Sequence, residues 1–320
     1  MSPQRVLLTD RAWPNADIER ATLAADGVEL VEAAATDEAT LARLAADCVA
    51  IATNWAKVTP PVVAAAKNLK TIARTGIGID NIAVDAATAR KIPVTNVPDY
   101  CVEEVADHTL GLLLAWARRV AFFHGRTKRG EYDLSAATPM HRLSGQTLGL
   151  VGLGRIGQAV AHRARAFGLK VLAHTRSGRD SEKQCKMVDL PHLLDASDYV
   201  SLHAPLTPQT KRMFSSAEFA RMKPTAYFIN TSRGGLVDTA ALWVALEQGQ
   251  IAGAALDVFD PEPPDLTQPL YLDERIIVTP HAAFVSEESL ATLRRQAMEQ
   301  ILSVLRGERP NNVINPQIYD

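Results

Sequence analysis

TLGLVGLGRIGQAVAHRARAFGLKVLAHTRS, residues 147–177, contains the turn on which the fold is decided. A short apolar run opens it and leads into Gly152-Leu153-Gly154-Arg155-Ile156-Gly157. An amphipathic stretch then predicts a helix over 156–167, Gly168 stands where such a helix would stop, and a second apolar run follows at 171–173. Glycines punctuate many loops, so G-x-G-x-x-G alone says little; a strand before it and a helix after it change that. Gly152 permits the tight turn, Gly154 lets a pyrophosphate approach the backbone, and Gly157 allows close helix–strand packing. The helix N-terminus adds N–H donors and positive potential. The expectation is a dinucleotide-binding turn at the edge of a parallel sheet.

Working outward, β-rich runs alternate with helical patterns along nearly the whole chain, the order that builds parallel sheets covered by helices on both faces. Strands are expected at 6–8, 28–31, 49–52, 71–74 and 94–96, with alanine-rich helices at 16–25, 38–46 and 60–66 between them. VEEVADHTLGLLLAWARRVAFF, 102–123, reads as one long helix with early acids and late Arg118 and Arg119, a distribution that suits the helix dipole. A second alternating set has strands at 147–151, 171–173, 199–202, 226–229, 254–258 and 276–278, and a last helix spans 287–305. The fold class expected is α/β with two doubly wound parallel-sheet domains. Residues 1–101 and 286–320 form a flavodoxin-like substrate domain, and 102–285 form an inserted Rossmann dinucleotide-binding domain.

At 320 residues the chain is long enough for two such domains. Its formal charge of -2 leaves no basic excess for phosphate backbones, so nucleic acid is not an expected partner. Three scattered cysteines and no histidine pair at ligand spacing exclude a disulfide framework and a zinc site. MSPQRVLLTD has no apolar signal core, and the apolar run 110–117 is far too short to span a membrane, so a cytoplasmic protein is expected.

The residue ending the strand after the glycine turn chooses between dinucleotides, because an acid there would hold the ribose 2′-hydroxyl of NAD. Here the strand ends in Thr175-Arg176-Ser177, without a carboxylate. Arg176 would pair with a 2′-phosphate, so NADP(H) is favoured and NAD(H) is the alternative.

Three polar residues follow three successive strands: Arg233 in INTSRGGLVD, Glu262 in LDVFDPEPP and His281 in TPHAAF. Ligands of open α/β sheets sit beyond the carboxyl ends of the strands, so these side chains would converge on one cleft. Their chemistry is that of carbonyl reduction. Histidine is the neutral-pH proton donor, a carboxylate beside it fixes its tautomer, and a guanidinium clamps a carboxylate in a two-pronged fork. Pro261 and Pro263, with their fixed φ angles, would stiffen the loop around Glu262.

VGLGRIGQAVAHRARAFG, VSLHAPLTPQT, INTSRGGLVDTAAL, GAALDVFDPEPP and TPHAAF together resemble the D-isomer-specific 2-hydroxyacid dehydrogenases, over nearly the full length of the chain. The resemblance implies that Arg233 binds substrate and that His281 is the acid/base, partnered by Glu262. It implies cofactor contacts from Arg155 and Ile156, from His203, Ala204, Pro205 and Thr210, from Thr231, and from Asp257 near the nicotinamide amide. ARTGIGIDNIAVDAATARKIPVTNVPDY resembles the family's substrate-side loop, implying contacts from the backbone N–H groups of Ile77 and Gly78, with Asn54 and Tyr100 nearby. It also implies a homodimer assembled through the cofactor domain, with the apolar helix 102–123 as its surface.

The sequence departs from phosphoglycerate dehydrogenases where those place an arginine for the substrate phosphate. Thr53 stands there, beside Asn54 and Trp55, so an unphosphorylated 2-keto acid is the expected substrate and Trp55 suggests an apolar group on it. With the sequence ending at Asp320, no regulatory domain is expected. NVPDYCVEEVADHTL also resembles the dinucleotide-sensing corepressors of the same fold, and this gives an alternative reading as an interaction protein.

Overall fold

The computed structural model describes residues 3–137, 139–178 and 185–320. The chain divides into two compact units, Met1–Tyr100 with Ser286–Asp320, and Cys101–Val285.

The first unit carries β1 (Arg5–Leu8), β2 (Glu29–Glu32), β3 (Ala50–Thr53), β4 (Thr71–Arg74) and β5 (Val94–Thr95). They form one parallel sheet in the order β2-β1-β3-β4-β5. Alternation along β1 divides the core. Val6 and Leu8 pack with Leu23, Leu293, Ala297 and Ile301 on one face, whereas Leu7 packs with Leu41, Val62, Ile51 and Ile72 on the other. The first face is closed by the helix Glu287–Leu305, which begins on the capping hydroxyl of Ser286. Arg294 of that helix donates to both oxygens of the buried Glu19, at 2.9 and 2.7 Å. Such paired geometry is what makes a buried carboxylate tolerable.

The second unit carries β6 (Thr147–Val151), β7 (Lys170–His174), β8 (Lys186–Met187), β9 (Tyr199–Leu202), β10 (Tyr227–Asn230), β11 (Gly253–Leu256) and β12 (Ile276–Val278). The parallel order is β12-β11-β10-β9-β6-β7-β8. Chain order reverses between β6 and β9, and a crevice for ligands opens at such a point. Sequence reading does not find β8, whose two residues carry no periodicity.

The helix expected over 102–123 is interrupted. It forms as Val102–Ala117 and Val120–Lys128, with Arg119 in the left-handed region at φ 53°. Packing within the unit accounts for the break. Trp116 stacks on Tyr227 with ring centroids 4.1 Å apart, and a Cβ at Gly253 would press on the same indole at 2.7 Å. The Arg119 guanidinium covers the indole 3.5 Å from its centroid, a cation–π contact. Among the described residues no helix is long and apolar enough to cross a membrane.

Candidate active site

The three glycines of the turn stand in different surroundings. At Gly152, with φ 102°, a Cβ would collide with the backbone of His203 at the end of β9. At Gly157 it would lie 2.6 Å from the carbonyl oxygen of Gly152. Gly154 is different: it caps the helix Arg155–Ala166, and nothing lies within 4 Å of the position a Cβ would take. Two glycines are thus required by protein packing and the third keeps space open at a helix N-terminus. This suits a pyrophosphate resting on Gly154, Arg155 and Ile156.

Across the crevice, His203 donates its backbone N–H to Val151. The Thr210 hydroxyl ties the loop by donating to the Pro205 carbonyl at 2.7 Å while accepting from the Thr207 N–H. Ala204 and Pro205 lie in this braced segment, whose stiffness comes from hydrogen bonds that composition does not reveal. The His203 ring contacts the Ser201 hydroxyl at 3.0 Å, and burial lowers its pKa to about 4, so the ring is neutral at pH 7.

Thr175, Arg176 and Ser177 follow β7, next to the glycine turn in the sheet. The Thr175 carbonyl accepts from the Gly178 N–H in a tight turn. Arg176 is exposed, and no carboxylate among the described residues pairs with it.

Strands β10, β11 and β12 are neighbours, so the loops that carry Arg233, Glu262 and His281 leave the sheet side by side, spaced by roughly 5 Å per strand. The closest contact is His281 Nδ1 to Glu262 Oε1, at 2.7 Å, with Glu262 about one-third exposed. His281 has φ 52°, rare for a residue with a side chain. Its N–H donates to the Asp257 carbonyl at 2.8 Å, and its ring meets Phe284 edge to face. The Arg233 loop is braced by Asn230, whose side-chain amide donates to the Arg233 carbonyl, and by the Ser232 hydroxyl, which donates to Leu202. Gly234 sits against the backbone of Phe259 with no space for a Cβ, so this loop and the one that carries Glu262 interlock.

Thr231 is buried. The Thr109 hydroxyl donates to Val105, so Thr231 donates its own proton to Thr109 across 3.0 Å. Asp257 is fully enclosed. Its Oδ1 accepts from the Thr279 hydroxyl at 2.5 Å and the Ala282 N–H at 2.9 Å, and its Oδ2 accepts from the Ala283 N–H at 3.0 Å. Sequence reading does not pick out Thr279, or His108, which contacts the Thr279 hydroxyl at 3.0 Å. A threonine before Pro-His at a strand end is the one signal available.

In the first unit, Asp10 accepts the N–H groups of Asn54 and Trp55 at 3.0 and 2.7 Å, fixing the turn after β3 at the sheet's own order reversal. Asn54 is buried, and its Oδ1 accepts from Arg74 at 3.1 Å. The Ile77 carbonyl accepts from the Asn96 amide at 2.7 Å, which anchors the segment carrying Ile77 and Gly78. Tyr100 packs on the core cluster of Leu293 and Ala297. Thr53 is wholly buried between Thr9 and the Ala56 carbonyl, and Trp55 is half exposed. The bracing roles of Asp10 and Arg74 escape sequence reading because strand-end polar residues look alike until the sheet order is known.

Sheet order and glycine turn are those of a dinucleotide-binding α/β protein. Residues 110–283 match the family model of the D-isomer specific 2-hydroxyacid dehydrogenase NAD binding domain. The sequence is 43% identical over 264 residues to a glyoxylate reductase of Korarchaeum cryptofilum, covering 80% of this chain and 79% of the relative. It is 40% identical over 284 residues to a D-3-phosphoglycerate dehydrogenase of Methanocaldococcus jannaschii, covering 88% of this chain but 54% of that longer relative. The crystal structure of an NADPH-dependent glyoxylate/hydroxypyruvate reductase from Sinorhizobium meliloti, in complex with NADP and malonate, superposes with a TM-score of 0.87. It is 31% identical, with 98% of this chain and 97% of that one covered. The chain belongs to the D-isomer specific 2-hydroxyacid dehydrogenase family. By family it is a nicotinamide-dependent oxidoreductase, and the corepressor alternative finds no support among these relatives.

The depressed pKa of His203 has a consequence for stability. Below the ordinary value of 6.5 the unfolded chain takes up a proton that folded His203 refuses until about pH 4, so this group costs stability as pH falls through that window. By pH 5 the loss is about 2 kcal/mol. Urea unfolding at pH 7 and pH 5 should show His203→Gln sparing roughly that amount. Equal losses in the variant and the parent would refute the assignment.

Proposed function

We propose that the protein reduces a small, unphosphorylated 2-keto acid to the D-2-hydroxy acid, with NADP(H) favoured over NAD(H). The observation that carries the reading is the 2.7 Å contact between His281 Nδ1 and Glu262, at the carboxyl edge of a family sheet.

A nicotinamide ring bound beyond the glycine turn would supply the hydride. With Nδ1 engaged by Glu262, His281 Nε2 is the ring nitrogen that delivers a proton to the carbonyl oxygen as the carbonyl carbon is reduced. Hydride and proton together convert the keto acid to the hydroxy acid. Glu262, bonded to Nδ1, fixes the tautomer and the orientation of the ring. Arg233 clamps the substrate carboxylate, which also fixes the carbonyl for attack. Within the first unit, the family resemblance points to Asn54, the N–H groups of Ile77 and Gly78, and Tyr100 as candidates for substrate contact. Gly152, Gly154, Arg155, Ile156 and Gly157 hold the pyrophosphate, and Thr175, Arg176 and Ser177 the adenosine ribose. His203, Ala204, Pro205, Thr210, Thr231 and Asp257 line the remainder of the cofactor's path. The buried, uncharged Thr53 offers nothing to a substrate phosphate, which favours glyoxylate or hydroxypyruvate over 3-phosphoglycerate.

Absorbance loss with 2-keto acids and NADPH or NADH tests this directly. His281→Ala should lose at least about 10²-fold in kcat, and Arg233→Ala should raise KM while lowering kcat. Near-normal rates in both variants would overturn the mechanism.

Arg176 is the side chain proposed to read the 2′-phosphate. Arg176→Ala should raise KM for NADPH by about tenfold or more, a charge-assisted hydrogen bond's worth, and change KM for NADH little. An equal effect on the two cofactors would reject that role.

We further propose a cytoplasmic homodimer built on the second unit. Val120, Tyr132 and Leu134, each more than half exposed, lie on or just beyond its helix pair, and apolar groups so displayed suit a contact surface. Light scattering should give about twice the 34.7 kDa chain mass, whereas a monomeric mass would reject the dimer.

A further inference from the structure

Resting on the reading of His281 as the proton donor, we infer that Thr279 and His108 are positioning residues for it, acting through the buried carboxylate of Asp257. Nothing in the family resemblance assigns either residue a part. All of these residues belong to the second unit.

His281 stands in a left-handed backbone conformation with φ 52°. A side-chain-bearing residue holds that shape only when its surroundings over-determine it, at a cost of order 1–3 kcal/mol. The His281 imidazole meets Glu262 and Phe284, and the backbone around it is held by the carboxylate of Asp257. Asp257 follows β11 and is wholly enclosed. Its backbone carbonyl accepts the His281 N–H, its Oδ1 accepts from Ala282, and its Oδ2 accepts from Ala283. The Thr279 hydroxyl, two residues before His281, donates to the same Oδ1 at 2.5 Å. Asp257 therefore grips the loop on both sides of the left-handed residue.

The proton count extends the network to His108. A carboxylate can only accept, and a threonine hydroxyl has one proton to give. That proton goes to Asp257, so the 3.0 Å contact between His108 Nε2 and Thr279 Oγ1 has the histidine as donor. The same Nε2 lies 3.6 Å from Asp257 Oδ1. His108 belongs to the helix Val102–Ala117, so a rigid element holds the hydroxyl in the only rotation that serves Asp257. The order of influence is helix, His108, Thr279, Asp257, loop, His281. This role for Asp257 differs from contact with a nicotinamide amide, since both its oxygens are already engaged by the loop.

A residue that merely stabilises the fold would change unfolding and leave the imidazole of His281 where it is. A positioning residue changes the His281–Glu262 contact. The test compares Thr279→Val, which keeps shape and loses the hydroxyl, Thr279→Ser, which restores it, and His108→Phe, which keeps a ring and loses the donor. Two readouts are needed. One is kcat and KM for glyoxylate with NADPH; the other is the low-field proton resonance of the His281 Nδ1–H bonded to Glu262, assigned by its loss in His281→Ala. We expect Thr279→Val to lower kcat about 10²-fold, the cost of an ångström-scale displacement, with KM for NADPH within threefold. The resonance should vanish or broaden in Thr279→Val. Thr279→Ser should recover both signals, and His108→Phe should fall between the two. The inference is overturned if folded Thr279→Val keeps the resonance and kcat, or if Thr279→Ser is as impaired as Thr279→Val. A resonance that follows the expected pattern in a protein inert toward every keto acid would sustain the positioning network and sink the enzymatic reading instead.

Discussion

No side chain fits between Gly152 and the backbone of His203, and the arrangement of the second unit depends on that exclusion. The two residues end β6 and β9, the strands between which chain order reverses. Contact at this point closes the base of the crevice, while Gly154 one turn later keeps its mouth open. A methyl group on Gly152 would separate the strand ends, and it would also have to adopt φ 102°, which L side chains rarely take. Fold and binding turn therefore rest on one local constraint. Sheet geometry then places the other strand ends at regular spacing along the same edge.

This is why much of the protein is legible in its sequence. The glycine turn announces itself because its residue types are forced by contact distances. Most strands announce themselves because both faces of a parallel strand are buried, as in Ala50–Thr53 and Tyr227–Asn230. Glu262 and His281 could be paired from their places after successive strands, and they meet at 2.7 Å. The break at Arg119 is not legible, since Arg118 and Arg119 also suit a continuous helix and apolar residues resume directly at 120–123. What interrupts the helix is an indole held by Tyr227 and Gly253, far away in sequence. Strand β8 is too short to carry a period.

The supports of the site escaped for a related reason. Asp10, Arg74, His108 and Thr279 are ordinary polar residues near strand or helix ends, and nothing in their spacing separates them from solvated ones. Their roles exist only once a partner arrives from another strand or helix: Asp10 under Asn54 and Trp55, Arg74 against Asn54, His108 over Thr279. Sequence motifs report groups that a ligand or a backbone turn demands. They are silent about groups whose only demand comes from another side chain.

The two carboxylates around His281 show how environment divides labour between like groups. Asp257 is fully enclosed and meets three donors from the loop that follows β12, one of them a hydroxyl held by a histidine. A buried carboxylate without such donors would cost several kcal/mol, so its contacts cannot be exchanged one at a time, and this makes it a rigid anchor. Glu262 is about one-third exposed and meets the imidazole through a single contact. Water can reach it, so it can follow a change of charge on the ring without breaking the loop. Exchanging the two environments would leave the histidine facing a carboxylate unable to move, on a loop with nothing to hold it. The proposed chemistry draws on one carboxylate of each kind, the enclosed one from the end of β11 and the exposed one from the loop that follows it.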